Sequence, residues 1–306
     1  MTKVLITGGT GLVGRKLVKK LLKKGYEVAI LSRSKNIDLH VPSYHCDYTT
    51  NQIDKEAINT ADFIIHLAGA NISEKRWSTK RKQEILDSRV KTGELILNSI
   101  DQEQKKLKAF ISASATGYYG SVTSDKIFIE DDPNYNDFIG NTCKSWEQVA
   151  DEFQSAGVRT VKLRTGIVLT KEDGALAKMT TPLKFRIGAL LGNGNQYLSW
   201  IHVDDLCSIY IKAIEDIKMK GSYNAVSPQH ISYKELIEQL HFFFQKPFFY
   251  IKIPPVVLKI IFGEMADILL NGSRVSSQKL IKEGYKFKFP TIQSALTDLI
   301  PNKKNS

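Results

Sequence analysis

The opening of the chain combines a strand, a glycine-rich turn and a helix. The apolar run 4–6 predicts a strand, and Gly8, Gly11 and Gly14 follow it directly. Apolar residues then recur at helical spacing over 12–24. The missing side chains at Gly8 and Gly11 permit a tight turn that a ligand can approach, and Gly14 lets the helix pack on the strand. The start of this helix therefore offers unpaired N–H groups and partial positive charge to a diphosphate.

Short β-branched runs alternate with longer helical patterns through the rest of the N-terminal half. Further strands are predicted at 27–31, 62–66, 109–112 and 160–163. A long charged helix is predicted over 78–102, and another helix ends near residue 156. Alternation of strands and helices with short connections builds βαβ units, whose parallel sheet carries helices on both faces. The sequence therefore predicts an α/β fold with a Rossmann-type doubly wound parallel sheet.

The end of the second strand distinguishes between two dinucleotide cofactors. A glycine loop in this context is typical of dinucleotide binding, and an acidic residue after the second strand would favour NAD by accepting hydrogen bonds from the ribose. The sequence has Ser32 where that carboxylate is expected, followed by Arg33. A guanidinium can pair with a 2′-phosphate. The sequence predicts NADP(H) rather than NAD(H), although a surface arginine without a ligand would give the same pattern.

The pattern changes beyond about residue 166. Glycine-containing loops surround short elements there, and helices are predicted near 204–216, 233–244 and 256–270. We interpret residues 1–165, with returning elements from about 197–226, as the NADP(H)-binding Rossmann core. Residues 166–306 are interpreted as a smaller C-terminal α/β cap for the substrate, with an extra domain at about 250–302.

Several sequence blocks resemble a known enzyme family. The glycine loop, His66-Leu-Ala-Gly-Ala70 and Ser112-Ala-Ser-Ala-Thr-Gly-Tyr-Tyr-Gly120 are together similar to the extended short-chain dehydrogenases/reductases. Ser199-Trp-Ile-His-Val-Asp-Asp-Leu206 and Gly263-Glu-Met-Ala266 narrow the resemblance to an atypical NAD-dependent epimerase-like subgroup. Members of that subgroup are labelled epimerase family proteins or sugar-nucleotide epimerases, and they carry a short C-terminal extra domain.

The resemblance implies further contacts to the cofactor. Leu67, Ala68 and Gly69, just beyond the fourth strand, would line its ribose and adenine side. Asp47, just beyond the third strand, resembles the acidic residue that contacts adenine. The complete set of predicted cofactor residues is Gly8, Thr10, Gly11, Leu12, Val13, Gly14, Ser32, Arg33, Asp47, Leu67, Ala68 and Gly69.

The resemblance is incomplete where it would supply the catalytic groups. Ser114 occupies the place of the family's active-site serine, although a serine at a strand end can also serve as a local cap. Members carry Tyr-x-x-x-Lys on the next helix, but the residue four before Lys144 is Gly140. Tyr118 and the adjacent Tyr119 are the nearest phenols, either as a replacement acid or as packing residues. Lys144 would contact the nicotinamide ribose or lie exposed on its helix. We predict Ser114, Tyr118 and Lys144 as the catalytic set.

Charge and cysteine content indicate the cellular compartment and limit the classes of partner. The formal net charge is +11, but the basic residues are scattered and no aromatic residues interleave with them, so we expect no nucleic-acid partner. The three cysteines fit neither a disulfide framework nor a metal site, which indicates a reducing, cytoplasmic location. The apolar stretch 251–270 is interrupted by charges, and we expect no membrane partner. The expected assembly is a monomer or a homodimer.

Two classes of function fit these observations. The first is an NADP(H)-dependent oxidoreductase or epimerase acting on a small polar substrate, with a sugar-nucleotide-like molecule as one form. The second is a non-catalytic dinucleotide-binding protein that reports redox state or regulates cell division, since relatives have been labelled cell-division inhibitor-like. A fold alone does not choose between them.

Overall fold

The computed structural model describes residues 1–34, 39–100, 107–171, 173–244 and 249–300. The strands are β1 (Lys3–Thr7), β2 (Glu27–Ser32), β3 (Ser43–Asp47), β4 (Gln52–Ile53), β5 (Phe63–His66), β6 (Ala109–Ala115), β7 (Ile127–Phe128), β8 (Arg159–Thr165), β9 (Ile167–Leu169), β10 (Ile187–Leu191), β11 (Tyr197–Leu198), β12 (Trp200–His202), β13 (Gly221–Ala225), β14 (Ile231–Ser232), β15 (Phe249–Ile253) and β16 (Arg274–Val275). The α-helices are α1 (Leu12–Lys23), α2 (Lys55–Thr60), α3 (Thr79–Leu97), α4 (Phe138–Ser155), α5 (Ala175–Lys184), α6 (Val203–Glu215), α7 (Tyr233–Phe244), α8 (Pro255–Phe262), α9 (Asp267–Leu270), α10 (Gln278–Lys282) and α11 (Ile292–Leu299).

A mostly parallel sheet forms the centre of the described chain, in the order β13-β8-β6-β5-β1-β2-β3-β4. Its neighbours pair in parallel except at the β3–β4 edge, which is antiparallel. The strand order reverses direction beside β1, because the chain builds β2 and β3 on one side and β5, β6 and β8 on the other. The predicted Rossmann-type α/β fold is confirmed.

Helices cover both faces of this sheet. α1 and α6 pack against one face, around buried residues such as Ile6, Leu17 and Ile209. α3 and α4 pack against the other, around buried residues such as Leu5 and Phe110. Burial of one such aliphatic side chain contributes about 1.5–3 kcal/mol. Both faces are therefore occupied, and the ends of the strands are the part of the sheet that a ligand can reach.

The C-terminal half packs around a second cluster of apolar residues from α5, α7, α11 and β10, which includes Leu183, Leu236 and Leu296. The prediction of one helix over 256–270 was wrong. The chain instead forms α8, a 3-10 turn at Gly263–Ala266 and α9, because Gly263 takes φ +61° and redirects the backbone. The helix predicted over 78–102 ends as α3 at Leu97, and the predicted end lies outside the described residues. Within the described chain, every helix is too short or too polar to cross a bilayer.

Candidate functional site

A cleft of about 270 Å³ opens at the carboxyl ends of β1, β2, β3 and β5. It lies where the strand order reverses, which is the usual ligand position in doubly wound folds. The lining residues are Thr7, Gly8, Thr10, Gly11, Leu31, Ser32, Arg33, Cys46, Tyr48, Leu67, Ala68, Gly69, Ala70, Glu84, Ser88 and Thr92. The glycine loop, the end of β2 and the segment after β5, each predicted to contact the cofactor, are brought together there.

The glycine loop is shaped by contacts that leave no room for side chains. Gly8 takes φ +69°, and a Cβ atom there would lie 2.8 Å from the carbonyl carbon of Leu67. A Cβ atom on Gly14 would overlap the carbonyl oxygen of Gly8, so Gly14 is a packing residue rather than part of the cleft wall. Leu12 is partly exposed and Val13 packs toward the core, so neither of these predicted residues is part of the cleft wall.

The start of α1 fits a diphosphate. Its N-cap residue Gly11 supplies no side-chain hydrogen bond to the helix, so the first backbone N–H groups keep no side-chain acceptor. The loop backbone is exposed in the cleft at Gly8 and Gly11 because neither carries a side chain. Unpaired N–H groups and the helix dipole together favour an anion at this position. The residues present therefore fit the dinucleotide that the sequence predicts.

Asp47, the predicted adenine contact, is held at the turn after β3. The Asp47 carboxylate accepts hydrogen bonds from the backbone N–H of Thr49 at 2.9 Å and from its hydroxyl at 2.7 Å. These bonds, with a smaller contribution from the charge of Arg33, hold the pKa of Asp47 below its usual value. Asp47 thus caps the turn after β3, and its neighbour Tyr48 lines the cleft. Tyr48 was not predicted as a site residue, although its position beside Asp47 was a signal.

A buried histidine holds the segment after β5 in place. His66 Nε2 lies 3.0 Å from the carbonyl oxygen of Arg89, which can only accept, so Nε2 carries the proton. Nδ1 then accepts from the Thr7 hydroxyl at 2.8 Å, and the Thr7 oxygen accepts the N–H of Ala68 at 3.1 Å. Burial lowers the pKa of His66 to about 4 and keeps the ring neutral. This chain of bonds fixes Leu67 at the cleft.

Arg89 completes the support behind that segment. Its guanidinium donates to the carbonyl oxygen of Ala70 at 3.1 Å and stacks on the ring of Trp146, 5.0 Å from the centroid. A Cβ atom on Gly69 would lie 2.8 Å from the Arg89 guanidinium carbon, so a side chain there would displace the guanidinium. Arg89 was not predicted as a site residue, because Ala70, which it holds at the cleft, lies 19 positions away in the sequence.

The end of β6 contains a buried ion pair rather than an open serine. Ser114 donates its hydroxyl to Glu147 Oε1 at 2.7 Å. The Glu147 carboxylate accepts two bonds from the Arg164 guanidinium, at 2.8 and 2.9 Å. All three residues are less than 5% exposed. The Ser114 hydroxyl is therefore already engaged, and its role in this structure is to complete the hydrogen bonding of the pair. Neither Glu147 nor Arg164 was predicted as a site residue.

The two tyrosines after β6 differ in their surroundings. Tyr119 is fully buried; its hydroxyl donates to Asn224 at 2.7 Å and accepts from Arg164 at 2.9 Å. Tyr118 is only partly buried, and the Arg164 guanidinium lies 3.6 Å from its ring centroid. Burial raises the pKa of Tyr118 and Arg164 opposes that rise. Tyr119 is thus a structural residue, and Tyr118 is the phenol that a ligand can reach.

The position of the missing tyrosine cannot hold a side chain. A Cβ atom on Gly140 would overlap the carbonyl oxygen of Tyr135, so the backbone around this position leaves room only for glycine. Lys144 lies exposed one turn further along α4. Trp77, Ile139 and Met265 belong to one buried apolar cluster that includes the start of α4. The described structure does not bring Lys144 and Ser114 into contact.

Comparisons with known proteins agree with this geometry. The sequence profile of the NAD dependent epimerase/dehydratase family matches residues 4–226, and a domain of unknown function, DUF1731, matches residues 253–299. Epimerase family protein YfhF of Bacillus subtilis (strain 168) is 32% identical over 303 residues, which cover 98% of this chain and 99% of that protein.

Solved structures extend the likeness to three dimensions. The crystal structure of human epimerase family protein SDR39U1 (isoform 2) with NADPH has a TM-score of 0.85 at 28% identity, covering 97% of this chain and 99% of that chain. UDP-glucose 4-epimerase from Thermotoga maritima, solved with UDP-glucose, has a TM-score of 0.78 at 19% identity, with 96% of both chains covered. The second likeness is one of fold alone.

Proposed function

Because the chain belongs to the NAD dependent epimerase/dehydratase family, we propose that it is an NADP(H)-dependent oxidoreductase or epimerase acting on a small polar molecule. The observation that carries the cofactor choice is the end of β2, where Ser32 and Arg33 line the cleft in place of a carboxylate. A guanidinium there attracts a 2′-phosphate, and Ser32 does not repel one. The NADPH in the structure of the human relative supports the same choice.

Different residues of the cleft would contact different parts of the cofactor. Gly8, Gly11 and the start of α1 would hold the diphosphate, and Arg33 the 2′-phosphate. The segment after β5, fixed by His66 and Arg89, would line the ribose and adenine side. When bound, the nicotinamide supplies or accepts the hydride.

Tyr118 is the residue that we assign to proton transfer. Hydride transfer at a carbonyl needs an acid within hydrogen-bond reach. Tyr118 follows the carboxyl end of β6, is partly open to solvent and stacks under the Arg164 guanidinium. Its phenol oxygen would give or take the proton. Ser114 would act through Glu147 and Arg164 as a positioning residue, which revises the direct catalytic role that the resemblance implies. Lys144 remains assigned to the ribose.

A binding titration tests the cofactor choice. Arg33→Ala should lower the affinity for NADPH by at least roughly tenfold and leave the affinity for NADH unchanged, since only NADPH carries the 2′-phosphate. Lys19→Ala is the matched control, because Lys19 is an exposed cation on α1 that lies outside the cleft. Equal losses for NADPH and NADH in Arg33→Ala would refute the choice of cofactor.

A second candidate function is favoured by one observation. The backbone of Tyr135 fills the space beside Gly140, so the chain has no room for the family's tyrosine. A protein that binds NADP(H) without turning it over, and signals its redox state to a partner, would need no such residue. We therefore keep the non-catalytic sensor as the alternative.

Turnover separates the two candidates. The enzyme should oxidise NADPH with at least one carbonyl compound in a panel, and Tyr118→Phe should abolish that rate while leaving NADPH affinity unchanged. A sensor should bind NADPH, show no turnover in the panel, and bind a partner differently in the two redox forms. Unchanged turnover in Tyr118→Phe would remove Tyr118 from the site.

A further inference from the structure

One wall of the cofactor cleft is formed by α3. Glu84, Ser88 and Thr92 are spaced four residues apart, so they lie on the same face of this helix, and all three line the cleft. Ser88 and Thr92 are buried, whereas the Glu84 side chain is 46% exposed. Among the described residues that line the cleft, Glu84 is the one with a carboxylate. It was not predicted as a site residue.

The two hydroxyl groups on this face are already hydrogen-bonded within the protein. The Ser88 hydroxyl donates to the carbonyl oxygen of Ile85 at 3.1 Å and accepts the backbone N–H of Ala70 at 2.9 Å. The Thr92 hydroxyl donates to the carbonyl oxygen of Ser88 at 3.0 Å. These bonds hold α3 together and against the segment after β5. The Glu84 carboxylate is therefore the group through which this face acts on the charge of a ligand.

Arg81 holds the Glu84 carboxylate in place and keeps it ionised. The Arg81 side chain is only 6% exposed, and its guanidinium donates to Glu84 Oε2 at 2.8 Å. It also donates to Glu74 Oε2 at 3.1 Å. The hydrogen bond from Arg81 lowers the pKa of Glu84, and the charges of Lys75 and Arg33 add smaller contributions in the same direction. Glu84 thus brings a negative charge to the cleft at neutral pH.

Arg33 reaches the same cleft from the end of β2, and Tyr48 lies near both charges. Tyr48 follows β3 and lines the cleft together with Arg33 and Glu84. Burial raises the pKa of Tyr48; the charge of Arg33 opposes this rise, and the charge of Glu84 adds to it. Asp87 and Asp47 add to it as well, but neither is among the described residues that line the cleft. A ligand group beside Arg33 is therefore also within the field of the Glu84 carboxylate.

We propose that Glu84 is a specificity-determining residue that limits the preference for NADPH over NADH by repelling the 2′-phosphate held at Arg33. A phosphate monoester carries about −1.5 to −2 charges at pH 7, whereas NADH has a hydroxyl at that position. In the empty cleft the same carboxylate attracts the Arg33 guanidinium, so the phosphate has to compete for it. Both effects weaken the binding of NADPH alone. The inference rests on the proposed function, because it takes NADP(H) as the ligand of the cleft.

A purely structural role would limit Glu84 to the ion pair with Arg81, and Glu74 is the matched control for that role. Glu74 accepts from the same guanidinium, and its side chain is 56% exposed. It is not among the described residues that line the cleft. Glutamine keeps the length of either side chain and one carbonyl acceptor while it removes the charge. With a structural role alone, Glu84→Gln and Glu74→Gln would change nucleotide binding alike.

Calorimetric titration of the full chain with NADPH and with NADH at low salt tests the proposal. Glu84→Gln should raise NADPH affinity by roughly threefold to tenfold, because a repulsive charge near the phosphate is removed. Its NADH affinity, and both affinities of Glu74→Gln, should stay within about twofold of the unmodified chain. High salt should shrink the gain, because ions screen an exposed charge. An unchanged ratio of the two affinities in Glu84→Gln, or the same change in Glu74→Gln, would overturn the proposal.

Two fragments of the nucleotide separate the 2′-phosphate from the nicotinamide half. Glu84→Gln should bind adenosine 2′,5′-bisphosphate more tightly than the unmodified chain does, and should bind 5′-AMP with unchanged affinity. Equal gains for both fragments would assign the effect to the 5′-phosphate and contradict the proposal. Equal losses would make Glu84 a contact to the adenosine, which also overturns it. Failure of the unmodified chain to bind either NADPH or NADH would instead remove the proposed function, so the two failures are distinguishable.

Discussion

The cofactor cleft and the end of β6 lie at the same edge of the sheet but are built differently. In the cleft, the groups that face a ligand are backbone atoms exposed by Gly8 and Gly11, supported from behind by His66. At the end of β6, the ligand side rests on a buried ion pair between Glu147 and Arg164. The first region depends on missing side chains and the second on side chains that must all be present. An added side chain in the loop should therefore lower NADPH affinity, whereas a side chain removed from the ion pair should lower stability and leave NADPH affinity unchanged.

The largest effect should come from removing one half of the ion pair. Glu147→Ala leaves the Arg164 guanidinium buried with two fewer acceptors, and loss of one partner from a buried pair costs about 3–5 kcal/mol of unfolding free energy. Urea denaturation measures this loss, with Glu152→Ala as an exposed control on the same helix. The fraction of Glu147→Ala that stays folded should bind NADPH with unchanged affinity. A loss below about 1 kcal/mol would mean that the pair is not a structural support.

The next effect is a pH dependence that originates behind the cleft. Burial lowers the pKa of His66 to about 4, below its usual value near 6.5, so the unfolded chain binds the proton more readily than the folded one. With respect to this group, the protein is therefore most stable above pH 6.5. Its free energy of unfolding should fall by roughly 3 kcal/mol as the pH drops toward 4. His66→Gln should be less stable at neutral pH and have a flatter profile between these values. If His66→Gln and the unmodified chain lose stability in parallel as the pH falls, the pH dependence comes from other groups.

A methyl group in the glycine loop should lower NADPH affinity, which the loss of the ion pair should not. Gly8→Ala forces a side chain into a φ of +69° and against the Leu67 backbone, which costs about 2 kcal/mol. The loop must shift, so NADPH affinity should fall by more than tenfold by calorimetry, whereas Glu147→Ala should leave that affinity unchanged. Gly25→Ala is the control, since Gly25 also has a positive φ but no atom near its Cβ position and lies outside the cleft. Unchanged NADPH affinity in Gly8→Ala would contradict the assigned role of the loop.

The smallest effect should come from the serine beside the ion pair. Ser114→Ala removes one hydrogen bond to Glu147 but leaves both bonds from Arg164, so it should cost about 1 kcal/mol. NADPH affinity should not change. Any turnover should fall less than in Tyr118→Phe, because Ser114 would act only through its neighbours. A larger loss of turnover in Ser114→Ala than in Tyr118→Phe would restore the serine as a direct participant.

The contrast also explains how much could be predicted from the sequence. The glycine loop and the strands around it were predictable, because their signals are local: positive φ at Gly8, close packing at Gly14, and β-branched runs between helical patterns. The fold class followed from the same alternation. The break at Gly263 was missed because the apolar pattern continues on both sides of it.

The side-chain partners were not predictable, because they are distant in sequence or compete locally. Ser114 meets Glu147 across 33 positions, and Tyr119 meets Asn224 across 105. The resemblance assigned Asp47 to adenine, and it did not indicate the local bond from the hydroxyl of Thr49, two positions on, that holds the carboxylate in a turn. A motif shows which residue stands at a position, whereas the surrounding fold decides what that residue contacts.

The most direct test of this account is calorimetric titration of the folded chain with NADPH and with NADH. We expect one NADPH per chain, bound more tightly than NADH because Arg33 lies at the end of β2. Absence of a binding signal with both nucleotides would contradict the central assignment, that the loop at the start of α1 receives the diphosphate of a pyridine dinucleotide.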